Sequence, residues 1–146
     1  MSREAFVVAP ANYPRPLSIV GEHITVLASG VDTGGYEIFL QSGLEGSGPP
    51  PHSHPWDESF YVMTGEVQFG IGQDTCVAGP GTLVHLPAQT SHWFRFGKGG
   101  GKMISMTSRA GAARMFADID REVAADRPDL GKLVEIGSRH GLAIRA

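Results

Sequence analysis

The chain of 146 residues has one cysteine, Cys76, and no long apolar run. A single thiol forms no disulfide framework and makes no thiolate zinc site. Because Cys76 lies between Thr75 and Val77 in a β-type segment, we predict that it is a small buried strand residue. No stretch approaches the ~20 apolar residues of a transmembrane helix, and the first ten residues lack the apolar core of a secretory signal. We therefore expect a cytoplasmic protein without membrane contact.

Clustered positive charge is also lacking. The formal net charge is −3, with 12 Lys and Arg against 15 Asp and Glu, and no basic run occurs. This balance excludes the electrostatic footprint of a nucleic-acid-binding protein. The glycine-rich segment 97–101 does not follow a strand–GxGxxG–helix pattern, so we predict a flexible hairpin loop there and not a phosphate-binding loop. The expected partner is a small-molecule substrate.

Glycine and proline, by contrast, are frequent, with 20 and 10 residues. They separate short apolar, β-branched segments, a spacing that predicts a β-sandwich or barrel. Thr64–Gly65 predicts a hairpin turn, and Gly79–Gly81 predicts a second turn. The candidate strands are Ile24–Ala28, Tyr36–Leu40, Glu58–Met63, Val67–Ile71, Thr75–Ala78, Thr82–Leu86, His92–Phe96 and Met103–Thr107.

The periodicity becomes helical near the end of the chain. Residues 112–125 carry apolar residues at helical spacing, and a break at Asp126–Pro128 precedes a second helix. We expect these helices to cap the barrel or to pack on a neighbour. The chain is thus predicted to be a single domain, 1–146, with a barrel core at about 17–108 and a helical tail at about 110–141. The predicted apolar faces consist of Phe116, Ile119 and Val123, then Leu130, Leu133 and Val134.

Three imidazoles and one carboxylate form the most informative pattern: His52, His54, Glu58 and His92. These side chains bind borderline divalent transition metals. His52 and His54 point to the same face of a strand, about 6.5–7 Å apart along the chain. A straight strand would carry Glu58 too far away, but Pro55 allows the chain to turn and to bring Glu58 back. The spacing therefore predicts a metal centre in a β-barrel.

These residues resemble the motifs of the cupin superfamily. The first motif, G-x5-H-x-H-x3-E-x6-G, is matched without a gap by Gly46, His52, His54, Glu58 and Gly65. The second motif, G-x5-P-x-G-x2-H-x3-N, is matched at three of its positions, by Gly81, Pro87 and His92. At its other two positions, Gln89 replaces the second glycine and Phe96 replaces the asparagine.

The resemblance implies an all-β fold, a double-stranded β-helix (jelly-roll or cupin barrel) with a short helical C-terminal tail. It also implies that His52, His54, Glu58 and His92 bind one divalent metal: Fe, Mn, Ni or Zn. Four ligands on a six-coordinate ion would leave two positions open, and Glu58 would be either a permanent ligand or a catalytic general base.

The chain also resembles small single-domain cupins described as quercetin dioxygenase-like. This likeness implies a dioxygenase acting on a small aromatic or enolic substrate. Two alternatives remain: a zinc-dependent cupin like a polyketide cyclase or isomerase, and a module that binds a metal or small ligand without turnover. The fold hosts many activities, so the choice among them rests on analogy.

Strand parity suggests which side chains surround the metal. If Glu58 and His92 face the interior, then so do Phe60, Phe94 and Phe96, which would make the cavity aromatic and apolar. The same aromatic residues are also what a barrel core requires. Trp56 would line the mouth of the pocket or simply pack. His85 is a candidate for substrate contact, with a hydrogen-bonded structural histidine as the alternative.

Exposed sheet faces require cover, which predicts a homodimer. The proline-rich N-terminal segment, with Pro10, Pro14 and Pro16, would reach over a neighbouring subunit. The two remaining histidines, His23 and His140, are predicted to be surface or cap residues.

Overall fold

The computed structural model describes residues 4–144, which form one curled antiparallel sheet and three helices; the ends of the predicted domain, 1–3 and 145–146, lie outside this range. The predicted all-β class with a short helical tail is confirmed. The strands in the described range are β1 (Leu17–Ile19), β2 (Glu22–Ala28), β3 (Glu37–Gly43), β4 (His52–Ser53), β5 (Glu58–Ile71), β6 (Asp74–Ala78), β7 (Leu83–Leu86), β8 (His92–Thr107) and β9 (Ala143–Ile144). The helices are α1 (Gly30–Thr33), α2 (Ala112–Glu122) and α3 (Leu130–Arg139), and a 3-10 turn spans Pro10–Asn12.

The two long strands β5 and β8 organise the sheet. They pair with each other along most of their length, and β8 also pairs with β3 through its second half and with β4 at its first residue. β5 in turn pairs with β6 and β7. Strands that change partners along their length bend between them, so the sheet curls and encloses an interior.

Two apolar clusters fill this interior. The first lies around β5 and includes four phenylalanines; it consists of Phe60, Val62, Val67, Phe69, Ala78, Val84, Leu86, Phe94, Phe96 and Met103. The second joins β1, β2 and β3 to the helical tail and consists of Ile19, Ile24, Phe39, Trp56, Ala112, Met115, Ile119, Val123 and Ile136. Each large apolar side chain buried in this way contributes about 1.5–3 kcal/mol to stability. The tail is therefore part of the core and covers one side of the sheet.

Two predicted turns are parts of long strands instead. Gly65 lies inside β5 and the segment 97–101 lies inside β8, so the predicted hairpin and the predicted flexible loop are wrong. Here β5 pairs with β8 across two register shifts, one between Val62 and Thr64 and one between Gly65 and Val67. Gly65 has φ +74, and a Cβ atom there would lie 2.3 Å from the carbonyl oxygen of Gly100. These glycines therefore mark a bulge where two backbones approach closely.

The predicted helical tail forms, although one of its faces differs from expectation. Asp129 caps α3 by accepting a hydrogen bond from the backbone N–H of Lys132. In the predicted apolar stripe of α3, Leu130 is 71% and Val134 is 46% exposed, whereas Ile136 is fully buried. Within residues 4–144, no helix has the length and apolar character needed to cross a bilayer.

The structure also shows where three side chains lie that were predicted to be away from the site. Cys76 is exposed in β6, which among the described residues pairs with β5 alone, so the prediction of a buried thiol is wrong: this edge strand leaves its side chain open to solvent. His23 is exposed on β2, as expected. His140 follows the last residue of α3 and bonds Asp118 of α2 at 2.6 Å, which confirms its role in the cap.

Candidate metal centre

The sheet register places two predicted ligands opposite each other. His52 of β4 pairs with His92 of β8, and the centroids of their imidazole rings are 4.2 Å apart. Directly opposed residues of an antiparallel pair point to the same face of the sheet. Both side chains are buried, and both rings therefore face the interior.

The turn at Pro55 brings the other two predicted ligands to the same place. His54 precedes the turn, and Glu58 follows it as the first residue of β5. Nε2 of His54 lies 3.0 Å from Oε1 of Glu58, and Nε2 of His92 lies 3.7 Å from the same oxygen. The structure thus brings His52, His54, Glu58 and His92 together in the way the spacing predicted.

Backbone carbonyls orient all three imidazole rings. Nδ1 of each ring lies 2.8–3.0 Å from the carbonyl oxygen of a nearby residue. A carbonyl only accepts hydrogen bonds, so Nδ1 of each ring carries a proton. On a neutral ring, such as that of His52, Nε2 then keeps its lone pair. Such carbonyl contacts are the usual support of metal-binding histidines. The contacts join His52 to Pro50, His54 to Trp56 and His92 to Thr90.

Burial and proximity determine the charges of the site. Burial, with the neighbouring His92, lowers the pKa of His52 to about 4, so its ring is neutral at neutral pH. Burial raises the pKa of Glu58, but the hydrogen bond with His54 and the nearby His92 outweigh this effect and lower it to about 2. The site therefore combines a carboxylate with at least one neutral imidazole.

A divalent transition metal fits this donor set. Ligand atoms of His52, His54 and His92 all lie within 4.8 Å of one another. Nε2 of His92 is buried and has no hydrogen-bond partner among the described residues. A buried polar atom without a partner costs free energy, and a cation bound among the three rings would satisfy it. Nitrogen and oxygen donors suit zinc and its transition-metal neighbours.

Hydrogen bonds join the two loops that carry the ligands. The backbone N–H of Gln89 donates to the carbonyl of His54, and that of Ala88 donates to Oδ1 of Asp57, both at 2.8 Å. Gln89 has φ +68, a left-handed conformation that favours glycine, and it occupies the position where the cupin motif has glycine. The loop geometry is therefore kept despite the substitution.

Three of the four candidate ligands, His52, His54 and Glu58, line a cavity of about 530 Å³. Most of its other walls are apolar, and a large share comes from the helical tail. Its volume and apolar character suit a small organic ligand. Residues of the tail in this lining are Ala112, Met115, Phe116, Ile119, Leu130, Leu133, Val134, Gly137 and Leu142.

The five predicted pocket residues divide into two groups. Trp56 and Phe94 line the cavity, and Trp56 also stacks on His54, with ring centroids 4.5 Å apart. Phe60 and Phe96 do not line it, because they pack in the aromatic core around β5. Their inward orientation was predicted correctly, but their position along the strands was not.

His85 also lies outside the cavity lining. It is exposed and bonds Oγ of Ser59 at 2.9 Å, so the alternative of a hydrogen-bonded structural histidine applies. The register explains this: Glu58, which faces inward, pairs with Leu86, and therefore Ser59 and His85 face outward.

The sequence analysis missed the polar residues of the cavity lining. One of them, Arg95, is exposed on β8, and the other two are Glu22 and Gln41. Both are buried, on β2 and β3, and Nε2 of Gln41 donates to Oε1 of Glu22 at 3.1 Å. Alternation on β3 offers a signal, because Glu37, Phe39 and Gln41 are all buried and lie on one face. A polar residue at such a position indicates a buried network or a binding site.

Comparison with known proteins agrees with the fold. Residues 40–105 match the family model described as a cupin domain. No curated protein sequence matches the chain. KdgF from Halomonas sp. aligns at 17% identity over 73% of this chain and 94% of its own, with a TM-score of 0.66.

Two further solved structures share the architecture. An RmlC-like cupin from Shewanella frigidimarina aligns at 17% identity, covering 75% of this chain and 96% of its own, with a TM-score of 0.65. The polyketide cyclase RemF from Streptomyces resistomycificus aligns at 18% identity, covering 73% and 80%, with a TM-score of 0.62. At these identities the likeness shows the fold alone. The cupin-domain model matches residues 40–105, and these solved structures share the same fold.

Proposed function

We propose that this protein is a metal-dependent enzyme, and that it acts as a dioxygenase on a small aromatic or enolic substrate. One observation carries the proposal: three histidines converge with a carboxylate beside an apolar cavity, which His52, His54 and Glu58 line. His52, His54, His92 and Glu58 would hold the metal. The donor set suits Fe, Mn, Ni or Zn.

A bound divalent ion supplies either activation of dioxygen or Lewis-acid polarisation of a substrate oxygen. The residues of the chain supply the surroundings. Trp56 and Phe94 offer aromatic surface to a flat substrate, and the tail helices restrict access of water. Glu58 is ionised at neutral pH, so it can remain a ligand or accept a proton from the substrate.

A second candidate is Lewis-acid chemistry without dioxygen, such as cyclisation or isomerisation. The shared fold with the polyketide cyclase RemF supports it, because that barrel accommodates cyclisation of a substrate. The two candidates differ in their need for oxygen. A metal-dependent dioxygenase consumes oxygen with its substrate, and an enzyme of the second kind turns over equally well under argon.

The metal is tested by elemental analysis of protein purified without added metal. We expect one transition metal per chain in the wild type and its loss in His52→Ala and His92→Ala. The matched control is His85→Ala, which removes an exposed histidine and should keep the metal. Metal retained in both ligand variants would refute the site. Zinc added to stripped wild type at 100 times its dissociation constant should stabilise it by about 2.7 kcal/mol, and His52→Ala should not respond.

The reaction class is tested with the metal that elemental analysis identifies. The loaded protein is incubated with a panel of phenolic and enolic compounds, in air and under argon, while an oxygen electrode and mass spectrometry follow the mixture. Oxygen uptake matched by product formation supports the dioxygenase. Product that forms equally under argon contradicts it and supports the second candidate.

We also propose that the chain forms a homodimer. The outer face of the sheet carries exposed apolar residues on adjoining strands, with Tyr61 of β5 directly opposite Leu83 of β7. Met63 and Met106 are further exposed residues of β5 and β8. A second copy would bury such a face. Light scattering at micromolar concentration should give twice the mass of the chain, Tyr61→Glu should give a monomer, and a monomeric wild type refutes the proposal.

A further inference from the structure

The cavity beside the candidate metal centre contains the polar pair Glu22–Gln41. The side chains are 5% and 3% exposed, so neither is a surface group. The sheet register explains why they meet: Gln41 of β3 lies opposite Ile24 of β2, two residues from Glu22 on the same face. Both residues line the same cavity as His52, His54 and Glu58.

This pair leaves part of its hydrogen-bonding capacity unused. Oε1 of Gln41 is buried and has no hydrogen-bond partner among the described residues. Within the described residues, the hydrogen bond from Gln41 is also the only one that the Glu22 carboxyl makes. Unpaired polar atoms in an apolar wall cost free energy, and a ligand that completes their bonds recovers it.

The charge state of Glu22 narrows the kind of ligand. Burial raises the pKa of Glu22 to about 8; the hydrogen bond from Gln41 opposes this rise, and the negative charge of Glu58 adds to it. At neutral pH the carboxyl group therefore keeps its proton. The pair then offers one O–H donor and one free amide oxygen, which together match a group that both accepts and donates a hydrogen bond.

We propose that Glu22 and Gln41 bind a neutral hydroxyl group of the substrate. The hydroxyl donates to Oε1 of Gln41 and accepts from the Glu22 carboxyl. This inference rests on the proposed function, because it narrows the substrate class of the same cavity. The substrate is then a small, mostly apolar molecule with a hydroxyl group separate from the atoms that meet the metal.

The test uses phenol, fluorobenzene and benzylammonium, which share a six-membered ring and differ in the polar group. Each is titrated into zinc-loaded protein and followed by 15N–1H correlation NMR. The side-chain amide signal of Gln41 is assigned by its absence in Gln41→Met. We expect phenol to bind about five- to 100-fold more tightly than fluorobenzene, the effect of two added hydrogen bonds, and to shift the Gln41 signal. Benzylammonium should show no such advantage.

Two variants separate a specific contact from general binding. In Glu22→Met/Gln41→Met both polar partners are replaced by side chains of similar size, a change that is close to neutral for folding. This variant should keep its affinity for fluorobenzene and lose the preference for phenol. Glu22→Gln retains an acceptor for the Gln41 amide and a polar group beside the hydroxyl, and it should keep the preference.

Several results would overturn the inference. They are equal affinities for phenol and fluorobenzene, tighter binding of benzylammonium, binding of neither ring, and a phenol preference that survives in the double variant. A preference that vanishes in metal-free wild type also overturns it, because the hydroxyl would then bind the metal. Failure of the metal centre has a different signature: zinc does not bind, while the phenol preference and the Gln41 shift remain.

Discussion

The buried carboxyl group of Glu22 should make the stability of the metal-free protein depend on pH. Its pKa is about 8 in the folded chain, against an ordinary value of 4.5, chiefly because burial disfavours the charged form. The variant Glu22→Gln keeps the size of the side chain and an acceptor for the Gln41 amide. It removes only the titration, so the difference between the two proteins isolates this one group.

The size of the effect follows from the two pKa values. Between pH 4.5 and about 8 the unfolded chain has released the proton of Glu22, whereas the folded chain keeps it. The free energy of unfolding therefore falls as pH rises, by about 1.4 kcal/mol per pH unit. We expect the wild type to lose about 3–5 kcal/mol relative to Glu22→Gln across this range. The effect is absent below pH 4.5 and levels off above pH 8.

The assay is urea unfolding at pH 5, 6, 7 and 8 with a chelator present, followed by tryptophan fluorescence. Buried Trp56 reports the loss of the core. Comparison at each pH cancels the contributions of all other titrating groups, including His52. The control Glu66→Gln changes an exposed carboxylate of β5 and should track the wild type at every pH. A stability difference between wild type and Glu22→Gln that stays constant from pH 5 to pH 8 would refute the reasoning.

Three further predictions concern residues that support the candidate metal centre or the core beside it. Urea unfolding measures the change in stability for each variant. Gln89 has φ +68, a conformation that glycine adopts easily and a β-branched residue does not. Gln89→Val should therefore lower the free energy of unfolding by about 1–2 kcal/mol more than Gln89→Gly, and equal losses would contradict the left-handed conformation. A Cβ at Gly43 would lie 2.3 Å from the Phe96 ring, so Gly43→Ala should lower the free energy of unfolding by about 1–3 kcal/mol. The loss should be smaller in a Phe96→Leu background, and fully additive effects of the two substitutions would exclude the clash. Trp56→Ala should lower the free energy of unfolding by about 3–5 kcal/mol. Because Trp56 stacks on His54, the same variant should bind zinc about ten-fold more weakly, and an unchanged zinc affinity would show that this stacking does not support the metal ligand.

The convergence of His52, His54 and Glu58 was predictable because its causes are local. Strand parity aligns His52 with His54, and the turn at Pro55 returns Glu58, all within seven residues. His92 is distant in sequence, and it was predicted from the motif resemblance. The structure then shows why it fits, because His92 pairs directly with His52.

Other predictions failed where strand register or sheet curvature determines the position of a residue. Parity places Phe60 and Phe94 inside the barrel, where both belong to the core cluster around β5, but only the curl of the sheet makes Phe94 also line the cavity. His85 could not be assigned to a face until its pairing with Ser59 was known. The glycines of 97–101 look like a loop, because a bulge and a turn use the same residue for the same conformational freedom.

The sequence by itself determined the fold class, the helical tail and the group of residues around the metal centre. The fold class and the tail follow from periodicity and turn residues, and three of the four ligands follow from short spacings, all of which act between near neighbours along the chain; His92 followed from the motif resemblance. Only the tertiary structure decided what surrounds that centre: the apolar wall from α2 and α3, and the Glu22–Gln41 pair. These groups are brought together by strand register and by packing of the tail, which depend on contacts between residues far apart in sequence.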